Sequence, residues 1–85
     1  MSAVCLITGA SSGIGAALAA RFAHRGDDLV LTARRVERLE TLAAALRRDR
    51  GIRVHVIPAD LAHPDGADQL LDSLSQRNLQ VRKLV

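Results

Sequence analysis

The sequence predicts an α/β domain built on a doubly wound parallel sheet, with elements in the order β-α-β-α-β-α. Short apolar runs alternate with helical segments of about ten to fifteen residues, the pattern of parallel strands joined by right-handed crossovers. A glycine- and serine-rich turn directly follows the first run. Hydrophobic residues make up 48% of the 85 positions, so the chain has the composition of one small globular domain.

The strands are predicted from short apolar runs that end in turn residues. The first run, Ala3 to Thr8, is continuous and therefore typical of a buried strand. The second is Asp28 to Ala33, and the third, Ile52 to Ile57, alternates in polarity as a strand exposed on one side does. Leu84 and Val85 are interpreted as the first step of a fourth strand, so the sheet is expected to be truncated there.

In a doubly wound sheet the fourth strand pairs with the first, in the order 3-2-1-4. Without it, Ala3 to Thr8 is expected to form an open apolar edge. We therefore expect a marginally stable chain that self-associates through this strand or docks on a partner that supplies the missing half. A sharp, reversible and concentration-independent melt would contradict this expectation.

Three helices are predicted between the strands. The first, Ile14 to Arg25, is rich in alanine, and its apolar stripe is predicted at Ile14, Leu18 and Phe22. The second, Val36 to Arg50, carries arginines in its last turn, where they complement the helix dipole. The third is Asp65 to Arg77. The other predicted core positions are Val36, Leu39, Leu42, Ala43 and Leu46 in the second helix, and Ala67, Leu70, Leu71 and Leu74 in the third.

Composition excludes several classes of function. The net charge is +3, and residues 21 to 53 contain nine arginines against five acidic residues. The chain has a single aromatic residue and no helix-turn-helix or zinc-finger signature, so no nucleic-acid partner is expected. No apolar run approaches the roughly 18 residues that span a bilayer. The single cysteine, Cys5, and the three histidines lack metal-ligand spacing, so no metal is expected. Because no basic segment precedes the first apolar run, a cytoplasmic location is expected.

The glycine-rich turn is the strongest functional signal in the sequence. It reads Thr-Gly-Ala-Ser-Ser-Gly-Ile-Gly over residues 8–15, where the first strand passes into the first helix. Gly9 suits a tight turn, Gly13 allows a phosphate to approach the backbone, and Gly15 allows the helix to pack closely on the sheet. The free N–H groups and the helix dipole then favour an anion. The turn lacks the Gly-Lys-Ser/Thr of a P-loop and differs in spacing from G-x-G-x-x-G. The alternative is a tight turn that binds nothing.

The T-G-x-x-x-G-x-G pattern resembles the cofactor-binding turn of the short-chain dehydrogenases/reductases. The resemblance spans the whole chain, because Leu-Thr-Ala-Arg-Arg at residues 31–35 and Ala-Asp-Leu at residues 59–61 also match. It implies that residues 1–85 form the incomplete, N-terminal, Rossmann-type cofactor-binding domain of an oxidoreductase. The implied cofactor-binding residues are Gly9, Ser11, Ser12, Gly13, Ile14, Gly15, Arg34, Arg35, Asp60 and Leu61.

The end of the second strand predicts which dinucleotide is bound. NAD sites usually place an acid there for the ribose 2′-hydroxyl, but this chain has Ala33 followed by Arg34 and Arg35. Arginine can clamp a 2′-phosphate, so NADP(H) is predicted. The resemblance gives Arg34 the main role, with Arg35 and Ser12 as helpers. By resemblance, Asp60 and the backbone of Leu61 contact the adenine. The alternatives are a solvated arginine cluster and a turn-forming aspartate.

The resemblance also indicates which catalytic groups of the family are missing from residues 1–85. The catalytic groups of the family are a Ser and a Tyr-x-x-x-Lys pair that follow an Asn-Asn-Ala-Gly segment. The 85 residues contain neither that segment nor any tyrosine, so they lack the Tyr-x-x-x-Lys pair. No catalytic residue is therefore assigned. Three hypotheses stay open: a fragment of an NADP(H)-dependent oxidoreductase that moves hydride between the nicotinamide and a carbonyl or alcohol, a non-catalytic nucleotide-binding module or half of a split enzyme, and a non-functional remnant.

Overall fold

The structure, a computed structural model, describes residues 2–85 and contains four strands and three helices. All strand pairs are parallel, and the sheet order is third, second, first, fourth. The predicted α/β class and doubly wound order are therefore confirmed. The elements are β1 (Ser2–Thr8), α1 (Gly13–His24), β2 (Leu29–Thr32), α2 (Val36–Arg50), β3 (Val54–Val56), α3 (Gly66–Gln76) and β4 (Leu79–Leu84).

The sheet is covered on both faces, as the continuous apolar run of β1 predicts. Side chains alternate between the two faces of a strand, and in β1 the residues Cys5 and Ile7 join the core beneath α1 and α2. Val4 and Leu6 join a second core beneath α3. Each face thus has its own hydrophobic cluster, and β1 contributes to both.

The fourth strand is present, which corrects the expectation that the chain stops as this strand begins. β4 pairs with β1 from Leu79 to Leu84, and the Thr8 N–H donates a hydrogen bond to the Val85 carbonyl at 2.9 Å. Asn78 adopts a left-handed conformation with φ of 56°, a common way to end a helix. Because of this turn, α3 passes into β4 almost at once.

The position of β4 changes the expected behaviour of β1. β1 lies between β2 and β4, so both of its hydrogen-bonding sides are used. The open apolar edge predicted for Ala3 to Thr8 is therefore wrong, and the reason given for self-association through that strand no longer holds. The sheet edges are β3 and β4 instead.

The buried face of α1 also differs from the prediction. Gly15, Ala19 and Ala23 are buried, whereas Ile14 is 78% exposed and Phe22 only half-buried. The helix packs so closely on the sheet that only residues with little or no side chain fit between them. The interface is therefore formed mainly by these small residues, and Phe22 packs only partly against the core.

The other two helices follow their predicted stripes more closely. In α2, the 15-residue helix, Leu39, Ala43 and Leu46 are buried as predicted. In α3 only Leu70 and Leu74 are buried, while the predicted core positions Ala67 and Leu71 are exposed. No helix within residues 2–85 is long and apolar enough to cross a membrane.

Cys5 is expected to report directly on whether the chain is folded. Its side chain is buried in β1, and burial together with the nearby Asp27 carboxylate raises the pKa of its thiol. Because the thiolate is the reactive form, iodoacetamide should modify native Cys5 roughly 100-fold more slowly than the urea-unfolded chain, the factor expected for an unfolding free energy of about 3 kcal/mol. Equal rates under the two conditions would show that the sheet does not form.

His55 is expected to make the fold less stable in mild acid. Burial lowers its pKa from the ordinary value of 6.5, and the guanidinium of Arg77 lowers it further. The unfolded chain then binds the proton more readily, so the contribution of His55 to stability is complete above pH 6.5 and is lost as the pH falls below that value. Urea unfolding at pH 7.5 and pH 5.5, with His55→Gln as the control, measures the difference. An equal loss in both proteins would exclude His55 as the source.

Candidate functional site

The turn between β1 and α1 is held by hydrogen bonds within its own residues. Gly9 has φ of 62°, the left-handed region that glycine adopts readily. Its carbonyl accepts from the Ser12 N–H at 3.0 Å and from the Ser12 hydroxyl at 2.9 Å. The same hydroxyl accepts from the Gly15 N–H at 3.1 Å, so Ser12 is the N-cap of α1. The serine therefore fixes the start of the helix.

Gly15 brings the helix start against the turn. A Cβ atom added at this position would lie 2.9 Å from the Ala10 Cα and closer still to the Gly9 carbonyl oxygen. Both neighbours are backbone atoms, so neither can move aside cheaply. By contrast, a Cβ added at Gly13 would meet nothing within 4 Å. The two glycines thus serve different purposes: Gly15 permits packing, and Gly13 leaves open space beside the helix.

The N-terminus of α1 carries an uncompensated positive dipole. Its first turn contains no acidic residue, in contrast to α2, where Glu37 occupies the first turn. Free N–H groups at a helix start attract anions. The beginning of α1 is therefore the more anion-attracting of these two helix starts.

A cleft of about 440 Å³ lies where the strands β1, β2 and β3 end. In open α/β sheets ligands bind at the carboxyl ends of the strands, and this volume falls within the range typical of small-molecule sites. The segments that follow all three strands contribute to its walls. The lining residues are Gly9, Ser11, Thr32, Ala33, Arg34, Arg35, Ala59, Asp60, Leu61 and Ala62.

Two arginines supply positive charge at the mouth of this cleft. Arg34 and Arg35 follow β2, and both are exposed. The ion pairs formed within residues 2–85 are Arg48 with Asp49 and Lys83 with Asp27, so neither cleft arginine is neutralised by an acidic side chain there. Arg34 also borders a smaller adjoining cleft. Both guanidinium groups are therefore free to receive an anionic ligand.

Asp60 borders the same cleft and is held by hydrogen bonds within its own loop. Its Oδ1 accepts a hydrogen bond from the Ala62 N–H at 3.1 Å, and its carbonyl accepts from the His63 N–H at 3.0 Å. The side chain is half-buried and borders the cleft. A carboxylate held in this way can accept a hydrogen bond from a donor group inside the cleft.

The structure brings together six of the ten residues predicted for the site: Gly9, Ser11, Arg34, Arg35, Asp60 and Leu61 line one cleft. Ser12, Gly13, Ile14 and Gly15 lie at the start of α1, outside that lining. The hydroxyl of Ser12 is engaged within the turn, which sequence reasoning did not anticipate. The spacing Ser12 to Gly15, typical of an N-cap followed by its N3 residue, is the signal that could have revealed it.

Sequence reasoning missed Thr32, Ala33, Ala59 and Ala62 as lining residues. Thr32 is the last residue of β2, and its hydroxyl is buried with no hydrogen-bond partner among the described residues. Ala59 and Ala62 flank Asp60 and Leu61 in the loop after β3. Their positions follow from the rule that strand ends meet at one edge of a parallel sheet, but their small side chains carry no chemical signal.

Comparison with known proteins places the chain in a family. The family model described as short chain dehydrogenase matches residues 3–85. The chain is 38% identical over 80 residues to 7beta-hydroxysteroid dehydrogenase from Clostridium sardiniense, covering 94% of this chain and 31% of that protein. It is 42% identical over 85 residues to sulfoacetaldehyde reductase 2 from Chromohalobacter salexigens, covering 100% of this chain and 33% of that protein. The chain thus spans about a third of the length of these relatives.

Solved structures give the same result. A short-chain dehydrogenase from Sphingobium yanoikuyae in complex with NADPH is 51% identical, with a TM-score of 0.77 over 87% of this chain and 28% of that one. L-sorbose reductase from Gluconobacter frateurii, complexed with NADPH and L-sorbose, is 43% identical, with a TM-score of 0.82 over 88% of this chain and 28% of that one. From its glycine turn, its strand order and these matches, the chain belongs to the short-chain dehydrogenase family.

Proposed function

We propose that this chain binds NADP(H) through the adenosine 2′-phosphate half of the dinucleotide. The observation that carries the proposal is the cleft at the strand ends, which has Arg34 and Arg35 on one wall and Asp60 on another. Anion-binding and hydrogen-bond-accepting groups thus flank one space of suitable size.

The 2′-phosphate has a natural site beside Arg34. A phosphate monoester carries about −1.5 to −2 charge at neutral pH, and a guanidinium can bind it through two parallel hydrogen bonds. Arg34 borders both the main cleft and the smaller one beside it, whereas Arg35 borders only the first. Arg34 is therefore the principal phosphate ligand and Arg35 a secondary one.

The turn before α1 and the loop of Asp60 support positions for the pyrophosphate and the adenine. Gly15 leaves no room for a side chain against Gly9, so α1 starts close to the sheet. The Gly15 N–H is bound by the Ser12 hydroxyl, which leaves the N–H groups of Gly13 and Ile14 for the pyrophosphate. Asp60 accepts a hydrogen bond from the adenine amino group, and the backbone of Leu61 assists. This assignment uses every charged residue of the main cleft.

The NADPH bound in the two similar solved structures supports the same cofactor for this chain. In the whole protein the cofactor would exchange hydride with a carbonyl or alcohol substrate. The 85 residues contain no tyrosine, so the tyrosine that serves as general acid and base in the family is not supplied by them. The contribution of this chain to such a reaction is to bind and orient the cofactor.

Two adenosine nucleotides that differ only in the 2′-phosphate test the proposal. Calorimetric titration should give an affinity at least about tenfold higher for adenosine 2′,5′-bisphosphate than for adenosine 5′-monophosphate, the factor for one additional charge-assisted hydrogen bond. Circular dichroism and slow alkylation of Cys5 would establish that the sample is folded. Equal affinities in folded protein would overturn the NADP(H) assignment.

A further inference from the structure

The loop that carries Asp60 is packed directly against the first residue of α3. Gly66 begins this helix and is buried. A Cβ atom added to Gly66 would lie 2.7 Å from the Asp60 carbonyl carbon, 3.2 Å from the Leu61 Cα, and closest of all to the Asp60 carbonyl oxygen. All three are backbone atoms, so a side chain at residue 66 cannot be accommodated by rotating a neighbour. The backbone of the Asp60 loop would have to move.

The same loop links the backbone of Asp60 to its carboxylate. The Asp60 carbonyl accepts from the His63 N–H, and the His63 carbonyl in turn accepts from the Gly66 N–H, both at 3.0 Å. The carboxylate accepts from the Ala62 N–H at 3.1 Å. A displacement of the Asp60 carbonyl therefore moves the residues that hold the carboxylate at the cleft wall.

We propose that Gly66 is a positioning residue for the nucleotide site, because the absence of a side chain there sets the place of Asp60 in the cleft. The proposal rests on the function proposed above. It assigns a role in cofactor binding to a residue that does not line the cleft and that is separated from Asp60 by a tight turn. It also explains why the loop packs backbone to backbone on α3 at this point.

The Gly66→Ala variant tests this role by calorimetric titration with adenosine 2′,5′-bisphosphate. We expect the affinity of the folded fraction to fall about tenfold, as for the loss of one hydrogen bond to a charged group. Gly51→Ala is the matched control, since Gly51 has φ of 67° and an alanine there is strained while its Cβ meets nothing within 4 Å. This control should lower stability but leave the affinity within about twofold.

A double-mutant cycle with Asp60→Ala separates positioning from a general structural effect. If Gly66 acts through Asp60, the effect of Gly66→Ala should shrink to less than about twofold in the Asp60→Ala background. Additive losses would contradict the proposal. An unfolded Gly66→Ala chain would also contradict it, because Gly66 would then support the fold instead of the site.

The Ala62 amide resonance tests the inference without any nucleotide. In the native chain its chemical shift should depend on the Asp60 carboxylate that it binds, so that Asp60→Ala shifts it, and in Gly66→Ala that dependence should be lost. An unchanged dependence would overturn the inference. If the native chain binds neither nucleotide, the proposed function fails, while the Ala62 resonance still decides the role of Gly66.

Discussion

Replacing Arg34 by alanine is expected to weaken NADP+ binding by roughly 10- to 100-fold, the range for losing one or more hydrogen bonds between a guanidinium and a phosphate. Arg34 borders both adjoining clefts, and no acidic side chain within residues 2–85 pairs with it. Affinity for NAD+, which lacks the 2′-phosphate, should change by less than about twofold, because the lost contact is absent from that complex.

Arg38→Ala is the matched control for this prediction. Arg38 is an exposed arginine in α2, the helix that follows Arg34, and it lines neither cleft bordered by Arg34. Its removal lowers the net charge by the same amount, so it measures the general electrostatic contribution, which added salt should screen. If both variants weaken NADP+ equally, the effect comes from net charge and the assignment of Arg34 is wrong.

Gly15→Ala is expected to disrupt the turn and unfold much of the population, while Gly13→Ala is tolerated. The Cβ atom at residue 15 would overlap the backbone of Gly9 and Ala10, and overpacking against atoms that cannot yield costs on the order of 3 kcal/mol. That is comparable to the whole stability of a domain of this size. At Gly13 the same added atom meets nothing within 4 Å, and replacing glycine in a helix is neutral or stabilising by up to about 1 kcal/mol.

Urea unfolding followed by circular dichroism compares the two glycine variants. The rate of Cys5 alkylation gives an independent measure of the unfolded fraction. Each variant adds one methyl group, and the two positions lie within three residues of each other. The difference between their unfolding midpoints therefore measures the contact between α1 and the turn. Similar midpoints for the two would show that α1 does not pack against the turn as described.

The order of the elements and six of the residues that line the cleft could be predicted, because both depend on local residue patterns. A glycine turn between an apolar run and a helix marks a strand-to-helix junction, and the strand-end rule then brings Arg34 and Asp60 to one edge. Both steps need only the spacing of residues along the chain. The six residues that share the cleft were therefore within reach of the sequence.

The features that the sequence did not predict depend on contacts between distant segments. The stripe of α1 was assigned to Ile14, Leu18 and Phe22 because large apolar residues usually face a core. Because α1 approaches the sheet closely, the buried residues of this helix are its small ones. The close approach depends on the backbone contact at Gly15, which the apolar periodicity of the helix does not predict. The role inferred for Gly66 has the same origin.

The fourth strand was predicted to begin only at Leu84, whereas it begins at Leu79, and the reason is local. The segment from Leu79 to Leu84 carries Gln80, Arg82 and Lys83, which obscure the apolar pattern of a strand. Its pairing with β1 stabilises the strand, although its own sequence lacks a clear apolar pattern. Tertiary context thus decided the conformation, as it often does for strands with mixed composition.

The central claim is that this chain distinguishes NADP(H) from NAD(H) at the ends of its strands. Calorimetric titration of the folded chain with NADP+ and NAD+ under identical salt conditions tests it most directly. We expect NADP+ to bind at least about tenfold more tightly, the factor for one charge-assisted contact to the 2′-phosphate. Equal affinities, tighter binding of NAD+, or no heat from either dinucleotide would contradict it.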